Sequence, residues 1–179
     1  MPVQIGARPD SGFEDPIGML QDCHRRIKFF VHVLGEVARR AQGRALTREE
    51  WTTVEGAVRY FRESGPRHNE DEEKSVFPRL RALGSAALRA EMERLEREHE
   101  EAGALHEETV RLYAKWRADH GLAPDEEARL LAVTHRLQAL YEEHIQIEEE
   151  RVFPRAAQGL DAATLAAIGS EFKARRAKE

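Results

Sequence analysis

The sequence has little or none of several features that mark other classes of protein. Its one cysteine, Cys23, cannot form a disulfide within the chain, which fits a reducing cytoplasm. No apolar stretch reaches transmembrane length, and residues 1–12 lack the apolar core of a signal peptide. The formal net charge is only −5, and acidic and basic residues are interspersed. We therefore expect a cytoplasmic protein that binds neither nucleic acid nor a membrane.

The features that are present fit one globular, helix-rich domain. A chain of 179 residues is long enough for one substantial core and short for two. Hydrophobic residues make up 41% and charged residues 34%, which argues against wholesale disorder. No window alternates convincingly between apolar and polar residues, so we place no strand. The sequence predicts an all-α fold.

Apolar residues at three- and four-residue spacings, together with capping signals, divide the chain into helices. Asp15 before Pro16 marks one start, and the capping box of residues 47–50 marks another. Gly65-Pro66 must kink or interrupt the second helix, because proline lacks a backbone donor and clashes with the preceding turn. The predicted helices, four long and one short, cover residues 16–42, 48–78, 85–120, 124–154 and 162–178, and Gly84 closes the second segment.

Short connections between long helices favour antiparallel neighbours, and hence an up-down four-helix bundle. We predict an irregular N-terminal arm at residues 1–14, the bundle at residues 15–157, and a C-terminal helix packed on or beside it at residues 158–179. The basic residues of that last helix could dock a protein partner, although a solvated helix end is the simpler interpretation. They are Lys173, Arg175, Arg176 and Lys178.

The two halves of the chain repeat each other. Residues 68–79 and 144–155 align without a gap, and both read H-x-x-x-E-E-x-x-V-F-P-R. A histidine lies upstream of each copy: His24 comes 44 residues before His68, and His99 comes 45 residues before His144. The repeat indicates that a helical hairpin has been doubled.

The spacing within each copy predicts a metal site. Residues four apart lie on one face of an α-helix, so the histidine and glutamate of each copy can bind a common centre. Antiparallel hairpins place the upstream histidine at a similar depth, inside the bundle where such proteins build two-metal sites. Nitrogen and carboxylate donors together suit iron, manganese or zinc. The predicted ligands are His24, His68, Glu72, His99, His144 and Glu148.

A simpler explanation exists for each motif taken alone. One H-x-x-x-E motif is usually a solvent-facing ion pair, and V-F-P after it can be core packing and a helix stop. Two gapless copies, each with a matching upstream histidine, favour the metal site. Glu73 and Glu149 are out of helical phase with the histidines and are weaker ligand candidates.

At these residues the sequence resembles the hemerythrin-like, or HHE cation-binding, family. The shared elements are an early histidine, H-x-x-x-E-E-x-x-[LVI]-F-P, then E-H at Glu98-His99, then H-x-x-x-E-x-x-x-[LV]-F-P. The resemblance covers about residues 15–157. It implies a non-haem centre of two iron ions, bridged by carboxylates and an oxo or hydroxo group, that binds oxygen or nitric oxide or serves as a sensor.

Two departures from relatives narrow what the resemblance implies. Oxygen-carrying hemerythrins have a second histidine four residues after the helix-three ligand, where this chain has Gly103. Six protein ligands instead of seven would leave one iron more open and weaken the case for oxygen carriage. Residues 98–103 also resemble di-iron proteins of iron–sulfur cluster repair, but the cysteine-containing domain and the additional histidine of those proteins are missing.

Three further residues could support a bound ligand or line its access route. Tyr141 lies one turn before His144, so its hydroxyl could donate to a bound oxygen species, although tyrosine there is more often core. His106 and His32 are displaced along their helices from His99 and His24, and an ordinary interior or boundary position is the simpler interpretation of both.

The leading hypothesis for function is a protein that binds or senses a small diatomic ligand, oxygen or nitric oxide. One alternative is a di-iron oxidoreductase acting on peroxide or nitric oxide. No acid–base set is identifiable, so we assign no catalytic residue and leave enzymatic activity open. Another alternative is an iron storage or delivery protein for stress repair, which would need a protein partner not identifiable from sequence.

Overall fold

The computed structural model describes residues 10–84 and 86–177, and over these residues the chain is helical without a strand. The all-α prediction is thus confirmed for the part described. Residues 1–9 of the predicted N-terminal arm lie outside it, as do Ser85 and Lys178. In the same part, no helix is both long and apolar enough to cross a membrane.

Eight α-helices and two π-helical turns follow one another along the described chain. The α-helices are α1 (Pro16–Arg40), α2 (Arg48–Glu63), α3 (Gly65–Asp71), α4 (Phe77–Ala82), α5 (Ala86–Asp119), α6 (Pro124–Ile147), α7 (Phe153–Gly159) and α8 (Ala162–Arg176). The π-helical turns are π1 (Glu72–Val76), which joins α3 to α4, and π2 (Glu148–Val152), which joins α6 to α7.

Side-chain capping and glycines set several of the helix ends. The Asp15 carboxylate accepts from the Gly18 N–H at 2.9 Å at the start of α1. At the start of α2, the Thr47 hydroxyl and the Glu50 carboxylate each accept from the other residue's backbone N–H, as a capping box requires. Gly43 follows α1 with φ +73°, a left-handed conformation that glycine adopts without strain.

The prediction that the fourth helix ends at Pro154 was wrong, because α7 continues to Gly159. Proline normally breaks a helix because it lacks the N–H and clashes with the preceding turn. Here the turn before it is wider: the Phe153 N–H bonds to the Glu148 carbonyl, five residues back. Pro154 then lies in the first turn of a new α segment, where its missing N–H costs nothing. Pro78 follows π1 in the same way.

The long helices pack around two apolar clusters. α1 packs along α6 and against α2, while α5 packs along α6 and against α2 and α4. In α1, His24 lies between Leu20 of one cluster and Ile27 of the other. The same order recurs in α5 at Leu95, His99 and Ala102. A layer of buried polar side chains therefore separates the two apolar clusters.

Helix α8 packs on the core near this polar layer. It packs on α1, α3 and π1, and it buries Ile168 and Phe172. Arg175 Nε and Arg176 Nη2 contact the two oxygens of Asp71 at 2.7 and 2.8 Å, and only 1% of the Asp71 side chain is exposed. These two arginines therefore face inward, so neither a solvated helix end nor a docking role describes them.

We expect Asp71→Ala to lower the free energy of unfolding by about 3 kcal/mol, because it leaves two partly buried guanidinium groups without their carboxylate. Urea denaturation of the full chain measures the loss. Asp119→Ala is the matched control. Among the described residues the exposed Asp119 carboxylate pairs with the exposed Lys115, so water should replace this contact without measurable loss of stability. Equal stability of the two variants would contradict the inward role of α8.

Candidate metal centre

The six predicted ligand residues meet in one buried cluster. Their exposed fractions run from 0 to 6%. Potential ligand atoms form two groups, in each of which the atoms lie within 4.8 Å of one another. One group is His24, His68, Glu72 and Glu148, and the other is Glu72, His99, His144 and Glu148. The two groups share both glutamates, an arrangement suited to two metal ions bridged by carboxylates.

Each glutamate presents its two oxygens to different histidines. Glu72 Oε1 lies 3.4 Å from His68 Nε2, while its Oε2 lies 3.4 Å from His99 Nε2. Glu148 Oε1 lies 3.3 Å from His144 Nε2, while its Oε2 lies 3.1 Å from His24 Nε2. Each carboxylate therefore spans both groups, with one oxygen toward each.

The cluster has buried polar atoms that the described part of the protein leaves unsatisfied. All four carboxylate oxygens of Glu72 and Glu148 lack a hydrogen-bond partner there, and so does His24 Nε2. An unpaired buried carboxylate is costly, whereas a divalent cation would satisfy both its charge and its lone pairs. Because nitrogen and carboxylate donors also suit transition metals, these residues fit a pair of such ions.

Burial and neighbouring charges within the cluster raise several of its pKa values. Burial, with the neighbouring charge of Glu148, raises the pKa of Glu72 to about 7. Burial opposes protonation of His24, but the carboxylates of Glu148 and Glu149 outweigh it and raise its pKa to about 9. In the same way the pKa of His144 rises to about 10. Without metal, protons therefore occupy the nitrogens of His24 and His144 that a metal would need, so metal and protons compete there, whereas burial lowers the pKa of His68.

Three more glutamates hold the histidines in orientation. His24 Nδ1 donates to Glu149 Oε1 at 2.9 Å, and His99 Nδ1 donates to Glu73 Oε1 at 2.7 Å. His144 Nδ1 donates to Glu98 Oε2, also at 2.9 Å. Donation from Nδ1 to a carboxylate fixes the ring and leaves Nε2 free for a metal.

Sequence reasoning missed these supporting carboxylates. From the sequence, Glu73 and Glu149 are candidates only for metal ligands, and α-helical phase argues against that role. Each lies in a π turn, which has more residues per turn than an α-helix, so α-helical phase does not apply there. The sequence does contain a signal for these carboxylates. A second glutamate directly follows the ligand glutamate in both copies of the motif, and Glu98 directly precedes His99.

The two groups of ligand atoms differ in the number of carboxylates that hold their histidine rings in place. His99 and His144 each have a carboxylate on Nδ1, whereas His68 Nδ1 is buried without a partner in the described structure. In the repeat, His24 matches His99, so the counterpart of Glu98 is Cys23. The group that contains His24 and His68 therefore has one supporting carboxylate, and the other group has two.

The remaining predicted residues lie in two different places. His106 Nε2 and the Tyr141 hydroxyl share a hydrogen bond of 3.0 Å, and both residues line a cavity that reaches His99. His32 is exposed and lines a separate surface groove with His135. The structure thus brings Tyr141 and His106 near the cluster but does not bring His32 there, because His32 lies on the outer side of α1.

Comparison with known proteins agrees with the metal-binding geometry of the buried cluster. The model of the family described as hemerythrin HHE cation binding domain matches residues 15–163, a range that contains all six clustered residues. An uncharacterized protein of Haemophilus influenzae is 27% identical over 164 residues, which cover 92% of this chain and 91% of that relative. The resemblance inferred from the motifs is therefore confirmed.

We expect Glu73→Gln and Glu149→Gln each to weaken metal binding about 10- to 100-fold, because an amide holds the imidazole less firmly than a carboxylate. Titration of the metal-free protein with Zn²⁺ against a competing chelator measures the affinity. Glu150→Gln is the control, since Glu150 is exposed and contacts only the Gln146 amide among the hydrogen bonds described. Unchanged affinity in both test variants would exclude a supporting role.

Proposed function

Because the chain belongs to the hemerythrin HHE cation-binding domain family, we propose that its buried cluster holds two iron ions and binds a diatomic ligand, oxygen or nitric oxide. The observation that carries this proposal is the sharing of Glu72 and Glu148 by two groups of ligand atoms. When bound, the iron pair would supply a redox-active centre with room for an exogenous ligand.

The protein's own residues support this use of the cluster. His24 and His68 would hold one ion, His99 and His144 the other, and the two shared glutamates would bridge them. The apolar clusters lie on both sides of the site, and all six side chains are buried. Gly103 leaves open space near His99, since a Cβ built there meets no atom within 4 Å. The absence of a seventh ligand at this position favours an open coordination site.

The bundle architecture and the cellular location are also part of the proposal. We infer an up-down four-helix bundle over residues 15–157, preceded by the arm at residues 1–14 and followed by an added helix at residues 158–179. The packing of α1 and α5 along α6 supports it. A cytoplasmic location stays a prediction that rests on the sequence.

An oxidoreductase acting on peroxide or nitric oxide is the second candidate. The Tyr141–His106 hydrogen bond favours it, because these groups offer neutral hydrogen-bond donors beside the cluster. Iron storage or delivery is less well supported. The near-complete burial of all six ligand residues does not suit a metal that must exchange readily.

We expect anaerobic loading to give about two iron ions per chain, with a visible and near-ultraviolet spectrum that changes on mixing with oxygen or nitric oxide. Glu148→Ala removes one shared carboxylate and should abolish both the stoichiometry and the spectral change. Glu142→Ala, a change at an exposed residue of the preceding helix α6, is the control.

Stopped-flow mixing separates the candidate functions. A single stoichiometric reaction supports ligand binding, whereas sustained turnover supports the oxidoreductase. Full iron loading with no spectral response to either gas would reject diatomic binding. Failure of the wild-type protein to take up iron would reject the di-iron proposal itself.

We expect the two metal positions to fill in separate steps whose affinities differ by at least about tenfold, because His68 lacks the carboxylate that supports each histidine of the other group. Titration with Co²⁺, followed by visible absorption, resolves the steps. Glu98→Gln should weaken the tighter step and bring the two affinities closer together. Two equal steps in the wild-type protein would show that these carboxylates do not set affinity.

A further inference from the structure

A cavity of about 580 Å³ lies beside the metal cluster, between α2, α3 and α5, and reaches His99. A diatomic molecule is close in size to water, whose share of the liquid is about 30 Å³. The cavity is therefore far larger than a diatomic ligand needs. Its volume falls within the range of roughly 300–1,000 Å³ that is typical of sites for organic molecules.

Most of the cavity lining is apolar, although Arg62, Glu107 and Arg111 also line it. The apolar part comes from aliphatic and aromatic side chains of α2 and α5: Val58, Phe61, Ala102 and Val110. The Phe61 ring stacks on the His106 ring with a centroid separation of 3.9 Å, so a flat aromatic surface forms part of the wall. Such a lining favours a ligand with an apolar body of about ring size.

Glycine keeps this space open. Gly103 lies four residues after His99 and three before His106, so all three face the cavity from one side of α5. A Cβ at Gly103 would meet no atom within 4 Å. The room exists because this position has no side chain, and a larger residue there would occupy it.

Two hydrogen-bonding side chains lie together in the cavity wall near the cluster. His106 Nε2 and the Tyr141 hydroxyl share a hydrogen bond of 3.0 Å, and both residues line the cavity. Burial lowers the pKa of His106 to about 4, so its ring is uncharged at neutral pH. A ligand hydroxyl or carbonyl beside this pair can exchange hydrogen bonds with it without losing the hydration of a charge.

We propose that this cavity binds a small organic molecule that has an apolar, ring-sized body and one neutral hydrogen-bonding group, recognised by Tyr141 and His106. The site goes beyond the proposed diatomic binding, because protein side chains form it and no metal is needed to shape it. An organic ligand held here would lie beside His99 and hence beside one metal position.

The test uses 2-naphthol as the probe, because it has a flat apolar body, one hydroxyl and its own fluorescence. The full-length protein is titrated both without metal and with Zn²⁺, so the result does not depend on iron or on either gas. We expect saturable binding in both forms. No saturable binding to the wild-type protein would overturn the proposal, and it would leave the di-iron proposal untouched.

Gly103→Leu and Gly56→Leu are a matched pair of variants. Both glycines are helical and have no atom within 4 Å of a built Cβ, but only Gly103 lines the cavity. Leucine is the better helix former, so both variants are expected to keep the fold, which circular dichroism checks. Gly103→Leu should weaken binding of 2-naphthol at least about tenfold by filling the cavity. Equal binding by the two variants would overturn the proposed location.

Tyr141→Phe tests the hydrogen bond separately. Loss of one neutral hydrogen bond should weaken 2-naphthol binding about fivefold, whereas naphthalene, which has no hydroxyl, should bind as before. Equal weakening of both probes would show that Tyr141 only shapes the cavity, which would contradict recognition of a hydrogen-bonding group.

Discussion

The burial of two glutamates side by side, Glu72 and Glu148, is the constraint on which the rest of the structure depends. An ionised carboxylate away from water is costly unless positive charge or hydrogen-bond donors accompany it. In the described structure no hydrogen bond satisfies either group. Four imidazoles surround them instead, and three of these rings are fixed by further carboxylates on their outer nitrogens. The interior therefore needs positive charge, which protons can supply in part and metal ions can supply fully.

The sequence predicted the part of this arrangement that depends on regular helical geometry. Four-residue spacing and the repeat identified six residues, and the structure brings all six together. Prediction failed where the geometry is not α-helical: the π turns place Glu73 and Glu149 beside histidines and let the chain continue past Pro154. It also failed for Arg175, because its pairing with Asp71 joins residues about a hundred positions apart, and no local pattern encodes such a contact.

The two halves have the same plan but not the same surroundings. Cys23 stands where the second half has Glu98, so the first half supports its histidines less firmly. The cavity reaches His99 of the second half, and Gly103 and His106 of the same helix line it. Their counterparts in the first half are Lys28 and the buried Val31. The group with two supporting carboxylates is thus also the group that the cavity reaches, which makes the two groups of ligand atoms chemically distinct.

The π turns also bear on the history of the chain. Each begins at the glutamate of its motif, and each is followed by phenylalanine and proline at the start of a new α segment. A π turn corresponds to one additional residue in an α-helix. Two separate insertions at matching positions are a less economical explanation than one. The simplest history is that an ancestral hairpin already contained this irregular turn before it was duplicated within one chain.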